Sequence, residues 1–132
     1  MKLSVDVNYT GKILTKGFES VIGDALVNTV KRVAEISEEA AKKDYASKRK
    51  TKTPPLSQSR IISSFHYTAH RAGLLSAVAI VFAGGPKAPH AIYVDQPRKG
   101  FAGYKFMEAG MREGAERAPE IVKEEFDKAF KR

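Results

Sequence analysis

Leu74-Leu75-Ser76-Ala77-Val78-Ala79-Ile80-Val81-Phe82 contains no charged residue, no Pro and no Gly. Read as a strand, it places Leu74, Val78, Ile80 and Phe82 on one face and Leu75, Ala77, Ala79 and Val81 on the other. A half-buried strand alternates apolar and polar residues, whereas this run is apolar on both faces. It is far too short to cross a bilayer as a helix. Its β-branched end, and the boundaries at Gly73 and Gly84-Gly85-Pro86, favour a central strand over a buried helix. Such a strand needs a layer packed on each face, and the rest of the chain reads as that cover.

Just upstream, Ile61, Ser63, Phe65, Tyr67 and Ala69 alternate with Ile62, Ser64, His66, Thr68 and His70. Residues 61–69 therefore read as a second, half-buried strand, with one helical turn allowed before it at Leu56–Arg60. His70-Arg71-Ala72-Gly73 is a short connection, with Gly73 suited to a positive φ, so the two strands form an antiparallel hairpin. Lys2–Tyr9 alternates as cleanly: Leu3, Val5, Val7 and Tyr9 against Lys2, Ser4, Asp6 and Asn8. This is a strand with one wet face, ended by the turn signal Thr10-Gly11.

Two stretches carry the helical period instead. Phe18, Ile22, Ala25, Thr29, Val33, Ile36 and Ala40 recur at steps of three or four, so a long amphipathic helix is expected over about 17–45. Asp24, Lys31, Glu35, Glu38 and Lys42 lie on its other face, and Glu38/Lys42 and Glu39/Lys43 are spaced for (i, i+4) ion pairs. Met107, Met111, Ala115, Ala118, Val122, Phe126 and Ala129 make a second stripe, interrupted by Pro119, which should kink or split the helix. The expected architecture is α+β: an antiparallel sheet of three to four strands, packed with the long N-terminal helix and the C-terminal helix. Ala88–Tyr93 fits either a short helix or an extended segment.

The chain has 132 residues, 42% of them hydrophobic, which suits a single domain over 1–132. No apolar span reaches the ~20 residues of a membrane helix. Lys2-Leu3-Ser4-Val5-Asp6 lacks the apolar core of a signal peptide. With no Cys, disulfides and Cys-based metal or redox chemistry are excluded. These features point to a soluble, intracellularly made protein without a membrane partner. The net charge of +8 is of the kind that meets polyanions.

That charge is densest in a basic, flexible loop at about 46–55, where Lys48, Arg49, Lys50 and Lys52 precede Pro54-Pro55. Four cations in five residues can hold phosphates without reading sequence, and can equally be a solvated loop. No aromatic residues interleave with them, which disfavours single-strand base recognition. A second loop at about 84–103 carries Arg98 and Lys99. These six residues are the candidate DNA- or partner-contacting set.

Catalytic and metal signals are weak by comparison. His66 and His70 have the spacing of a metal pair on a helix. On a strand they stand ~13 Å apart, so they read as exposed hairpin residues. His90 reads as structural or surface. The serines lack a Gly-x-Ser-x-Gly elbow, and Gly84-Gly85-Pro86-Lys87 lacks the spacing of a phosphate loop. No catalytic residue, cofactor or metal is expected.

The order of elements is more telling. A strand and long helix are followed by a polar Pro-containing loop, Leu56-Ser57-Gln58-Ser59-Arg60-Ile61, and a hairpin. Then come Ala88-Pro89-His90-Ala91-Ile92-Tyr93-Val94, Phe106-Met107-Glu108-Ala109-Gly110 and a last helix. Over about residues 17–131 the chain resembles the minor tail-component family of long-tailed bacteriophages, whose members are tail-completion or head–tail joining proteins. Pro54–Ile62 resembles the family's Thr-Gly-x-Leu-x-x-Ser-Ile-like segment without its Gly. Pro89–Asp95 matches the second half of a Tyr-Ala-x-Tyr-Val-Glu-x-Gly-like segment. Tyr104–Gly110 keeps the aromatic and Ala of a Pro-x-Phe-Leu-x-Pro-Ala-like segment without its prolines.

The resemblance implies a structural virion protein of the neck or upper tail, made in the host cytoplasm and without catalytic residues. It implies a homo-oligomeric ring around the DNA channel, a hexamer before a dodecamer. The neighbours would be adaptor, stopper, tail-terminator or tail-tube proteins. The 46–55 loop, the 84–103 segment and the wet edge of the first strand are the implied contact surfaces, with non-specific DNA contact by the basic loop. A small basic nucleic-acid-binding protein acting alone is the alternative, and a small hydrolase or nuclease ranks last.

Overall fold

A computed structural model describes residues 2–6, 16–49, 59–73, 76–97 and 103–130. The elements are β1 (Lys2–Asp6), α1 (Lys16–Lys48), α2 (Arg60–Ser64), β2 (His66–Gly73), β3 (Ser76–Phe82), a 3-10 turn (Gly85–Lys87), α3 (Ala91–Asp95) and α4 (Phe106–Phe130). The protein is α+β, with antiparallel strands and long helices.

β3 is the central strand, in the order β1-β3-β2. β2 pairs with it from His66↔Phe82 to Gly73↔Ser76, with a shift between Arg71 and Gly73. β1 pairs with it from Lys2↔Ile80 to Asp6↔Ser76. The connection expected at 70–73 is therefore strand, and Gly73 ends β2 rather than supplying a positive-φ turn. The intervening Leu74 and Leu75, and likewise Val7 to Gly11, lie outside the described residues.

Helices do not cover both faces of β3 as expected. Ala77, Ala79 and Val81 are fully buried in one core with Ile22, Leu26, Val30 and Ala34 of α1. On the other face Val78 is buried, Ile80 half-buried and Phe82 exposed. Phe82 stacks on the His66 ring at 4.7 Å. α4 packs along α1 instead of taking that second face. The small side chains at 77 and 79 let α1 sit close to the sheet, and α1 then offers a second face to α4.

That second face explains why the expected α4 stripe holds only in part: Met107, Ala118, Val122, Phe126 and Ala129 are half-buried, and Met107 and Phe126 pack against the first core. The buried positions are Phe106, Gly110, Gly114, Ile121 and Glu125, whereas Met111 and Ala115 are exposed. Gly110 lies against Ser37 and Ala41, and Gly114 against Ser37 and Val33. A helix meeting another through glycines buries backbone rather than long side chains, so an apolar count misses the contact. α1 responds in kind: Ile36 and Ala40 are only half-buried, while Ser37 and Ala41 are fully buried. α4 continues unbroken through exposed Pro119. The carbonyl that loses its donor belongs to exposed Ala115, where water can replace it.

The strand expected over 61–69 begins five residues late, because Arg60–Ser64 is helical. Ile61 and Phe65 are both buried, which an (i, i+4) spacing achieves as well as alternation does. The serines favour the turn: Ser63 Oγ donates to the Arg60 carbonyl at 3.1 Å and Ser64 Oγ to that of Ile61 at 2.6 Å. Within the 84–103 segment, a 3-10 turn spans Gly85–Lys87, and of the two alternatives for Ala88–Tyr93 the helical one holds from Ala91, as α3, with Ala88, Ala91 and Asp95 buried.

Gly110→Ala tests the helix contact. Its Cβ would overlap the Ser37 carbonyl oxygen and lie 2.9 Å from the Ala41 Cβ. Backbone cannot step aside as a flexible side chain can, so a loss of about 1–3 kcal/mol is expected in urea unfolding. Met111→Ser, on the exposed side, should cost less than about 0.5 kcal/mol.

Candidate interaction surface at the basic end

A second core gathers one end of the molecule. Ala41 and Tyr45 of α1, Ile61 and Phe65 around α2, Ala88 and Ala91 near α3, and Phe106 of α4 are buried together. Phe106 is the hub, with ring centroids 5.4 Å from Tyr45 and 5.7 Å from Phe65. Gly84 donates its N–H to Ser64 Oγ at 2.8 Å, which ties the 3-10 turn to α2.

Asp95 locks α3 to the start of α4. Its side chain is buried; Oδ1 accepts the Met107 N–H at 3.1 Å and Oδ2 accepts Gln96 Nε2 at 2.6 Å. A carboxylate at a helix start satisfies an orphan donor and suits the positive end of the helix dipole. Backbone bonds from Tyr104 to Val94 at 2.9 Å and from Lys105 to Asp95 at 3.0 Å complete the junction. Gly103 makes that approach possible: its φ is 81°, and a Cβ would lie 2.7 Å from the Asp95 carbonyl oxygen.

Lys48 belongs to this junction rather than to a flexible loop. It ends α1, pairs with Asp44 at 2.8 Å and donates to the Tyr104 carbonyl at 2.6 Å. The Arg49 N–H still bonds the Tyr45 carbonyl at 2.9 Å, so helical order reaches past the expected start of the loop at 46. Lys50, Lys52, Arg98 and Lys99 lie outside the described residues. Their described neighbours Arg49, Pro97 and Gly103 are held at one end by the Lys48–Tyr104 and Gly103–Asp95 contacts.

A broader signal was available in the sequence. From Tyr45 to Val94 there is no Asp or Glu, against seven Lys and Arg. Of those described, Lys48 ends α1 beside the second core and Arg49 follows it, whereas the guanidinium of Arg71 lies across Gly23 of α1. Arg60 opens α2 and is exposed, as is Lys105. α4, in contrast, carries seven carboxylates and four Lys and Arg.

Charges on the long helices are largely engaged within the chain. Arg32 bridges to Glu124 at 2.8 Å and Glu125 at 3.1 Å. Those hydrogen bonds, Glu124's first, raise its affinity for its proton. Lys42 pairs with Glu38 at 2.8 Å, and Glu39 lies 3.8 Å from Lys42. Tyr67 of β2 donates its hydroxyl to Glu35 at 2.6 Å.

Between α1 and α4 lies an open groove of about 680 Å³. Ile36, Ala40 and Ala109 give it apolar walls; Glu35, Glu39, Asp44 and Glu113 line it with carboxylates, against Lys43 and Arg117. At α3, Ile92 and Tyr93 are 63% and 62% exposed although Ala91 and Asp95 beside them are buried.

His66 and His70 share an exposed strand face, with His66 Nδ1 3.0 Å from the Ser64 carbonyl. His90 is exposed just before α3. Among the described residues no group of three or more His, Asp or Glu could hold a metal ion. None of the described helices is long and apolar enough to cross a membrane. No protein-family model, curated protein or solved structure matches the chain.

Asp95→Ala should lower stability by about 0.5–2 kcal/mol in denaturant unfolding, the range for a lost helix cap. Tyr67 gives a pH signature. Its bond to Glu35, then burial and the Glu35 and Glu38 charges, push its pKa up to about 12. A raised phenol pKa stabilises the fold below the unfolded value near 10, and that stabilisation disappears as pH rises through about 12. Thermal unfolding of wild type should therefore fall between pH 10 and 12 more steeply than that of Tyr67→Phe.

Proposed function

We propose that the protein is a structural component of a long-tailed phage virion, a tail-completion or head–tail joining protein. It forms a homo-oligomeric ring, a hexamer before a dodecamer, at the neck or upper tail, and has no enzymatic role. The order and spacing of its motifs support this reading. The observation that carries it is the partition of charge along the chain: residues 45–94 hold seven Lys and Arg and no carboxylate, while α4 carries seven carboxylates against four Lys and Arg. In a ring, a cationic segment free of carboxylates suits a channel that holds DNA or an acidic neighbouring ring. The cations for that contact are Arg49, Lys50, Lys52, Arg98 and Lys99. Lys48 is engaged by Asp44 and the Tyr104 carbonyl.

Disruption of the gene in a phage that encodes it should leave tails absent or unjoined, seen by electron microscopy of lysates. Normal infectious particles would remove the proposal. The same cations favour a second reading, a non-specific nucleic-acid-binding protein acting alone. That reading expects the isolated chain to bind duplex DNA with a slope of log K against log salt of roughly −0.9 per phosphate contacted. Replacing the five cations with Ala should then flatten the slope; unchanged binding would deprive that reading of its surface.

A further inference from the structure

We propose that the β2 edge of one copy receives β1 of a second copy, so that one sheet runs on from subunit to subunit. This rests on the ring reading and names the surfaces that would close the ring. The order β1-β3-β2 leaves two edges. Among the described residues no strand pairs with the outer side of either. β2 lies open along its length: His66, Thr68 and His70 are exposed, Tyr67 and Ala69 half-buried. Backbone N–H and C=O groups on an outer edge call for hydrogen bonds, and another strand supplies them in a row. An edge that stays bare is usually guarded by Lys, Pro, a bulge or an inward-pointing charge. β2 has such guards only at its end, where Arg71 turns onto Gly23 of α1 and the pairing shifts before Gly73. His66-Tyr67-Thr68-Ala69-His70 has no Lys, Pro or carboxylate, and it pairs regularly with β3.

β1 matches this edge in length and in face. It has five residues, as many as the unguarded stretch. Its register sets Leu3 and Val5 opposite Ala79 and Ala77, on the sheet face that meets α1, and Ser4 opposite Val78 on the other face. β2 alternates in the same sense, with Tyr67 and Ala69 packed toward the first core and Thr68 and His70 away from it. β1 laid along His66–His70 therefore continues both faces, apolar beside apolar and polar beside polar. Within one chain β3 lies between β1 and β2, so a second copy must supply the strand. β1 and β2 both run antiparallel to β3, and rotation about an axis along the strands brings them together in parallel. Two different edges that recognise each other make a heterologous contact, which repeats until it closes into a ring or runs on as a filament.

The chain has no Cys, so single cysteines report the contact cleanly. Ser4→Cys mixed with Thr68→Cys or with His70→Cys should give a disulfide-linked dimer under mild oxidation at high protein concentration. The faster of the two mixtures should exceed either of its variants alone by at least about tenfold. It should equally exceed Ser4→Cys mixed with Glu116→Cys on the exposed side of α4. One chain carrying both cysteines of that pair should give a ladder of linked species beyond the dimer. Its own two cysteines stand two strand spacings apart, about 9.5 Å, too far to bond each other. Hydrogen exchange at the amides of His66–His70 should slow on association. Circular dichroism confirms that each variant folds. Equal rates in all mixtures, a faster Thr68→Cys or His70→Cys homodimer, a ladder that stops at two, or unchanged amide exchange would overturn the proposal. Absence of the link alongside tailless particles on gene disruption removes this contact and leaves the phage reading. A specific link alongside normal particles does the reverse.

Discussion

Two glycines decide how near the two long helices come, and most of the molecule depends on that distance. With Gly110 and Gly114 against Ser37 and Ala41, α4 lies almost backbone to backbone on α1. Arg32 of α1 then reaches Glu124 and Glu125 of α4. The start of α4 brings Phe106 between Tyr45 and Phe65. The groove lined by Ile36, Ala40 and Ala109 runs beside the same contact. Longer side chains at 110 and 114 would separate the helices and loosen all three features together, because packed interiors do not absorb added volume cheaply.

α1 can serve both the sheet and α4 because it is buried over two adjacent faces. Ile22, Leu26, Val30 and Ala34 meet Ala77, Ala79 and Val81 of β3, while Val33, Ser37 and Ala41 meet α4. With α1 shared by two contacts, no described helix layers the opposite sheet face. Val78 is covered there, whereas Phe82 is exposed beside His66. The two cores also divide the labour. The first holds the sheet on α1; the second gathers the short elements α2, the 3-10 turn and α3 against the ends of the long helices.

The partition of charge follows from that division. Tyr45, Ile61, Phe65, Ala88 and Ala91 of the second core come from the carboxylate-free part of the chain, and of the acids that bound it Asp44 pairs with Lys48 and Asp95 is buried against the start of α4. The long helices hold their carboxylates close to their own Lys and Arg, in pairs such as Glu38–Lys42 and Glu124–Arg32. Exposed pairs of this kind contribute at most about 1 kcal/mol each. Their greater effect is to leave the seven Lys and Arg of residues 45–94 without a carboxylate in their own stretch of chain, and exposed charges act over a Debye length of about 8 Å at physiological salt.

Local pattern alone determined the two long helices, the central place of β3 and the existence of a basic region. Each is written in neighbouring residues: steps of three and four, an uncharged run bounded by Gly, and Lys48 to Lys52. Tertiary structure decided which face of each element is covered. Ile61–Phe65 satisfies a helical turn and a strand equally, and the second core with its serine bonds selects the turn. Gly110, Gly114 and Glu125 occupy the buried side of α4, yet none counts as apolar. Lys48 reads as one more cation of a loop until Tyr104, distant in the chain, is brought to its ammonium group. Periodicity reports what a segment can bury; which neighbour arrives, and how near, depends on contacts between residues that sequence proximity does not connect.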